Sequence, residues 1–290
     1  MTSQAATRKE NLRASVWLIA DMSLNVWALS IVKAVGLDYT ATQLVFIRAI
    51  VGFVLLVPWA YRERSAFLNL DHLSLHAARI VLSAATLAAS FFAIARVPLA
   101  LFSAINFTRP ILLMIMAALL LGEHITRSRW TAASIGLFGA IIAVNPAAIQ
   151  AGGDGMALGL AALTLTVTMG TLAIIITRRL KGTPAVIMMV FYTGGLALFT
   201  APFAAVNWVP VETRHWPLLV AIGLFAQAAQ FCFLKAHWLG DTGVLGPVSY
   251  LSLILSTAAG FIFFAELPSL PLVIGAAVIL LSAWYIGSTA

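Results

Sequence analysis

The chain has 290 residues, 62% of them hydrophobic and 9% charged, with 17 Lys and Arg against 10 Asp and Glu and a mean hydropathy of +1.01. A soluble domain carries about 25% charged residues, so this composition cannot clothe a water-soluble globule, and lipid is the fitting solvent. The formal charge of +7 does not point to nucleic acid, because the basic residues sit in short clusters between apolar runs, where they act as orientation signals.

A membrane span needs about 20 mostly apolar residues. The sequence predicts ten: 14–34, 41–61, 76–96, 99–121, 128–146, 157–178, 184–206, 216–237, 243–264 and 270–288. Turn or charge signals separate them, among them Gly36-Leu37-Asp38, Arg62-Glu63-Arg64, Val97-Pro98, Asn145-Pro146, Gly152-Gly153-Asp154 and Pro268 to Pro271. Met1 to Arg13 is polar, and no cleavable signal peptide is expected. The short connections make consecutive helices neighbours. With the N-terminus inside, inner loops and flanks hold 12 Lys and Arg and outer ones hold Lys33, Arg96 and Arg214. That asymmetry predicts a cytoplasmic-membrane protein with both termini cytoplasmic.

The run Leu121-Gly122-Glu123 is matched by Phe264-Ala265-Glu266, 143 residues later (266 − 123). The same offset pairs Gly52 with Gly195, Thr40 with Thr183 and Ile111-Leu112 with Ile254-Leu255, and brings the span boundaries into register. The expected fold is therefore all-α and integral to the membrane, with ten transmembrane helices in two five-helix repeats, 1–148 and 149–290. Five is odd, so the repeats run in opposite directions, an architecture of secondary transporters with the solute near the midplane.

Arg48 in the second span, Pro110 followed by Leu121-Gly122-Glu123, Trp130 seven residues later and the small-residue helix after it resemble the EamA-type drug/metabolite transporter superfamily. The second half repeats the pattern as Phe264-Ala265-Glu266 followed by Ile274-Gly275-Ala276-Ala277. The resemblance implies carriage of small metabolites, often amino acids or related compounds, by export or uptake. The chain departs from the family pattern where Asn25 replaces a first-helix tryptophan, Leu253 stands opposite Pro110 and Val273 opposite Trp130.

Polar groups inside hydrocarbon are costly and should face a cavity or a partner. Asp21 and Asn25 lie one turn apart in the first span and can share a face. Two readings stand: a proton-coupling or amine-binding carboxylate, or a packing partner for Arg48 or Arg109. Arg109, beside Pro110 and three residues after Asn106, suits a solute carboxylate through paired hydrogen bonds; an internal salt bridge is the alternative. Arg48 reads as a helix lock or gate.

In the second half, Gln227, Gln230, Ser249, Tyr250 and Ser252 could form the hydrogen-bonding wall of a cavity, or link helices. Ser252 is the repeat-mate of Arg109 (109 + 143 = 252). Trp17 and Tyr250 could stack on solute or serve packing. Glu123 and Glu266 fall at span ends on opposite sides, so they read as caps or interfacial ion pairs rather than one reaction centre. The small-residue clusters at 131–136 and 275–277 favour close helix packing and are candidates for homodimer contacts.

The five histidines lie at or near span ends and the single Cys232 in an apolar run; no metal or other cofactor is expected. No phosphate-cradling glycine loop or supported nucleophile is present, which argues against an ATP-driven pump or an enzyme. A membrane-embedded lipid-modifying enzyme, the rival class, would need catalytic groups gathered at one face, and the acids here are dispersed. The expected partners are a small-molecule solute, the bilayer, and protons or another ion as coupling species. The expected mechanism is alternating access, with amino-acid export the first choice and uptake of a charged metabolite the second.

Overall fold

The computed structural model describes residues 2–67, 72–109, 111–112, 115–116, 127–144, 146–180, 183–239, 248 and 251–288. Among these there are ten α-helices and no strand. They are α1 (Thr2–Val35), α2 (Ala41–Arg62), α3 (Leu73–Ile94), α4 (Leu99–Asn106), α5 (Arg127–Val144), α6 (Pro146–Arg179), α7 (Ala185–Val206), α8 (Trp216–Leu239), α9 (Leu251–Phe264) and α10 (Leu270–Ser288). Six carry stretches long and apolar enough to cross a membrane: Glu10–Val35, Ala41–Arg62, Leu73–Ile94, Asp154–Thr177, Val186–Val206 and Thr213–Phe233. Shorter apolar stretches are Ser134–Ala143, Leu251–Phe264 and Leu270–Ser282. The chain is a multi-pass membrane protein.

The boundaries have local causes. Thr40 opens α2, its hydroxyl accepting the Gln43 N–H at 3.3 Å. Pro184 precedes α7, and Pro146 starts α6 at the first helical position, where its missing N–H costs nothing. One expected break is absent: α6 continues through Gly152-Gly153-Asp154 to Arg179. Glycine lowers helix propensity without forbidding the conformation, so the helix runs unbroken from Pro146 and the glycines extend it beyond its apolar span.

The fourth expected span, 99–121, is not one uninterrupted helix. α4 ends at Asn106, with Phe107 and Thr108 in a turn. A proline at 110 cannot donate to the Asn106 carbonyl and crowds it, which stops a helix one turn upstream. Pro110 itself lies outside the described residues, as do Glu123, Ser249 and Tyr250.

The packing joins the first five helices to the last five. The main pairs are α1 with α8, α3 with α6, α2 with α7 and α8, α3 with α7, α5 with α10 and α4 with α9. The N-terminal half of α1 (Ala14, Leu18, Met22) packs on Ala236 near the end of α8. The N-terminal part of α6 packs on the end of α3, where Gly159 lies against Arg96 and Val97. One large cluster spans both halves, with Val32, Leu44, Phe91, Leu163, Leu196 and Ile222 among its members.

Glycines set the closest approaches. A side chain at Gly275 would strike the backbone of Gly139 and Ala143, so α5 and α10 meet backbone to backbone. The 275–277 cluster thus packs inside the chain, against Gly139 and Ala143. Outward positions such as Phe138, Leu198, Phe203, Ile262 and Leu281 stay apolar and exposed, which suits hydrocarbon. Hydroxyls within the helices, including those of Thr166, Thr171, Thr193 and Thr200, donate to the carbonyl four residues back and so are satisfied internally.

Candidate functional site

Arg109 lies just past the broken end of α4. Its Nη2 donates to Asn106 Oδ1 at 2.9 Å, and Asn106 Nδ2 donates to the Phe102 carbonyl at 2.8 Å. The guanidinium rests on α6 at Gly170, where an added Cβ would sit 3.2 Å from Nη2 and 3.3 Å from a Thr86 methyl of α3. A side chain there would press on the guanidinium by a few tenths of an ångström. The Arg109 Nε is buried without a hydrogen-bond partner. Insertion scales put a central arginine at about 2.5–3.5 kcal/mol, and one amide hydrogen bond does not offset that.

Asp21 of α1 is 7% exposed and lies beside Cys232 of α8. Its Oδ1 accepts Asn25 Nδ2 at 2.7 Å, and the same nitrogen reaches the Asp21 carbonyl at 3.1 Å. One turn fixes the pair, as the spacing implies. Neither Arg48 nor Arg109 forms a salt bridge with Asp21; the salt bridges among the described residues are Lys33–Glu266 and Arg214–Glu212. Trp17, one turn before Asp21, meets Phe231 of α8 edge to face with centroids 6.1 Å apart. Lys235 Nζ lies 5.7 Å over the same Phe231 ring.

Arg48 lies on α2 where it crosses α8, its carbonyl 3.3 Å from where a Gly223 side chain would begin. Its Nη1 is buried without a partner. Gly52, one turn on, faces Gln227: an added Cβ would lie 3.0 Å from Gln227 Oε1 and 3.5 Å from Thr193 Cγ2. Gln227 is half-buried whereas Gln230 is exposed, so the two glutamines occupy different surroundings. Ser252 is half-buried on α9.

Glu266 does something else. Its Oε1 pairs with Lys33 Nζ at 2.8 Å, and its Oε2 accepts the Leu99 N–H at 2.9 Å, capping α4. Lys33 also donates to the carbonyls of Val97 (2.6 Å) and Ile94 (3.3 Å) and sits 5.5 Å over Phe264. Three corners are tied together: the end of α1, the α3–α4 turn and the α9–α10 turn, where Ala265 takes a left-handed φ of 53°. Beneath them is a cavity of about 160 Å³ lined by Leu101, Met156, Glu266, Pro268 and Leu272 among others. The same face carries a second tie. Gln43 Nε2 donates to the Val209 carbonyl at 2.8 Å and its Oε1 accepts the Val209 N–H at 3.0 Å, while Tyr39 Oη meets His215 Nδ1 at 2.7 Å.

Sequence reading missed Lys33 as the partner of Glu266, because residues so far apart give no local signal. His76, in the first turn of α3, is 2% exposed and packs on Phe191 of α7, centroids 4.9 Å apart. Arg79, three residues on, donates to the Met188 carbonyl at 3.2 Å and stacks over Tyr192 at 5.5 Å, joining α3 to α7. No group of three or more His, Cys, Asp or Glu that could hold a metal occurs among the described residues.

Fold and site together define an all-helical, multi-pass membrane protein in which, among the described residues, Arg48 Nη1 and Arg109 Nε are buried without a hydrogen-bond partner. The EamA-like transporter family matches residues 16–145. The chain is 32% identical to a riboflavin transporter of Rhizobium johnstonii over 245 residues, 81% of this chain and 77% of the relative. It is 26% identical over 257 residues to the pseudopaline exporter CntI of Pseudomonas aeruginosa, covering 87% and 88%. It is 24% identical over 255 residues to an S-adenosylmethionine uptake transporter of Rickettsia bellii, covering 88% and 86%. A solved crystal structure superimposes with a TM-score of 0.64 at 19% identity, covering 94% of this chain and 96% of the other, a likeness of fold. The chain belongs to the EamA/DMT superfamily, and is a transporter rather than an enzyme.

Proposed function

We propose that this protein is a secondary transporter that moves an amino acid or related metabolite across the cytoplasmic membrane by alternating access, in the direction of export. The observation that carries the reading is the helix pairing. Exchange α1–α5 for α6–α10 and the pair α1·α8 becomes α6·α3, α2·α8 becomes α7·α3, and α2·α7, α4·α9 and α5·α10 return to themselves. Gly52 of α2 fits against α8, and Gly195, its mate at the 143-residue offset, fits against Ile80 of α3. Such exchange supports two inverted five-helix halves, 1–148 and 149–290, that can swap conformations and open a central site to alternate sides.

In this reading the solute carboxylate meets Arg109 and Asn106, and its amine meets Asp21 and Asn25. Trp17, Gln227, Gln230, Ser249, Tyr250 and Ser252 complete the wall. The turn at Phe107 and Thr108 puts Arg109 directly after a helix break, the kind of feature that lines transport sites. Asp21 is the coupling carboxylate, exchanging solute amine for a proton. Glu266, with Lys33, closes the outer face, and Glu123 is assigned the matching place on the inner one; both termini are cytoplasmic. Named relatives include both an exporter and uptake transporters, so an uptake carrier for a charged metabolite is the second reading.

Radiolabelled amino-acid flux in proteoliposomes, with and without an imposed proton gradient, tests the proposal. Flux that rises when protons move opposite to solute is expected. Absence of flux for every amino acid tested would overturn it.

A further inference from the structure

The interior charges do not balance for a simple amino acid. Among the described residues, the charged groups deep in the α1, α2 and α4 segments are Asp21, Arg48 and Arg109. With a rise of about 1.5 Å per residue, Arg48 lies about 10 Å into α2 and Asp21 about 18 Å along α1 from Lys33, while Arg109 follows the turn that ends α4. Arg79 lies toward the other face and has the Met188 carbonyl and Tyr192 ring as partners. Lys33 and Glu266 neutralise each other.

A solute with one carboxylate and one amine would satisfy Arg109 and Asp21 and leave Arg48 with a buried, unpartnered Nη1. No carboxylate of the protein reaches Arg48 among the described residues. One turn away, Gly52 makes room for the Gln227 side chain, whose Oε1 would lie 3.0 Å from a Cβ at that position. The buried Nη1 of Arg48 and the Gln227 amide thus lie along the same α2–α8 contact.

We propose that Arg48, with Gln227, is a third solute contact, and that the solute carries two acidic groups beside its amine. This rests on the amino-acid reading above and narrows it to acidic members. Arg48 is then a specificity residue. The second acidic group supplies the charge that α2 lacks, and a neutral isostere leaves the guanidinium unmatched.

Glutamate and glutamine are near-isosteric probes that differ in that one group. Binding is measured by titration of purified protein in nanodiscs. The expected result is glutamate binding at least about tenfold tighter than glutamine, a difference of one charge-assisted contact. Arg48→Gln is expected to lower glutamate affinity about tenfold and erase the preference, while Arg48→Lys, which keeps the charge, retains most of it. Equal affinity in the unaltered protein, or a preference that survives in Arg48→Gln, would overturn the proposal while leaving the transporter reading intact. Failure of both probes to bind, or unchanged binding of both in Arg109→Ala, would instead overturn the amino-acid site itself.

Discussion

Two sets of charges lie within reach of one another along α1, and their surroundings are opposite. Near its C-terminal end, Lys33 and Glu266 are matched: an ion pair at 2.8 Å, two carbonyls for the ammonium, and a backbone N–H for the second carboxylate oxygen. Deeper in, Asp21 holds one amide, Arg109 one amide oxygen with its Nε left over, and the Nη1 of Arg48 nothing. Burying a charge is tolerable when partners restore what water gave. The matched set is therefore structural, and the short-handed set is where we propose that the solute binds.

The comparison predicts which substitutions hurt stability and which hurt binding. The largest effect on stability should come from Lys33→Met, which strands a half-buried carboxylate and three corner contacts. A loss of about 2 kcal/mol follows from breaking a partly buried, hydrogen-bonded pair, seen as a fall in the apparent Tm of detergent-solubilised protein. Double replacement by Lys33→Met and Glu266→Gln should recover part of that loss, because neither charge is then stranded.

Arg109→Ala comes next. It removes a charge-assisted contact of about 1.5–3 kcal/mol, so affinity for a carboxylate solute should drop about 10- to 100-fold with the Tm unchanged or raised. A lowered Tm with unchanged affinity would move Arg109 into the structural set. Asp21→Asn should lower affinity for amine-bearing solutes about tenfold, and flux should lose its dependence on the proton gradient, read in proteoliposomes. The smallest effect expected is that of Gln43→Ala, which removes two hydrogen bonds at Val209 and should cost about 1–2 kcal/mol by thermal unfolding, with no change in solute affinity.

Much of the fold was legible from the chain because hydrocarbon permits few backbones. Apolar runs and their breaks marked α2, α7 and α10 to within about a residue or two, a precision that helix fraying itself limits. The Gly152-Gly153 break misled, since glycine weakens a helix without ending it, and the single span expected over 99–121 overlooked the stop at Asn106 that the missing Pro110 N–H explains. Within the site, the Asp21–Asn25 and Asn106–Arg109 pairs were readable because each is a single helical turn. Lys33 with Glu266, Gln43 with Val209 and Arg79 with Met188 were not, because they join helices distant in sequence. His76 was readable as a span-end residue, but its packing on Phe191 is a matter of helix rotation that hydropathy does not fix.

The most direct test of the division is solute-induced thermal stabilisation, measured on the unaltered protein, Arg109→Ala and Lys33→Met against an amino-acid panel. The account predicts a stabilising shift in the unaltered protein that persists in Lys33→Met, from a lower starting Tm, and vanishes in Arg109→Ala. A shift that survives in Arg109→Ala, or that disappears only in Lys33→Met, would contradict it.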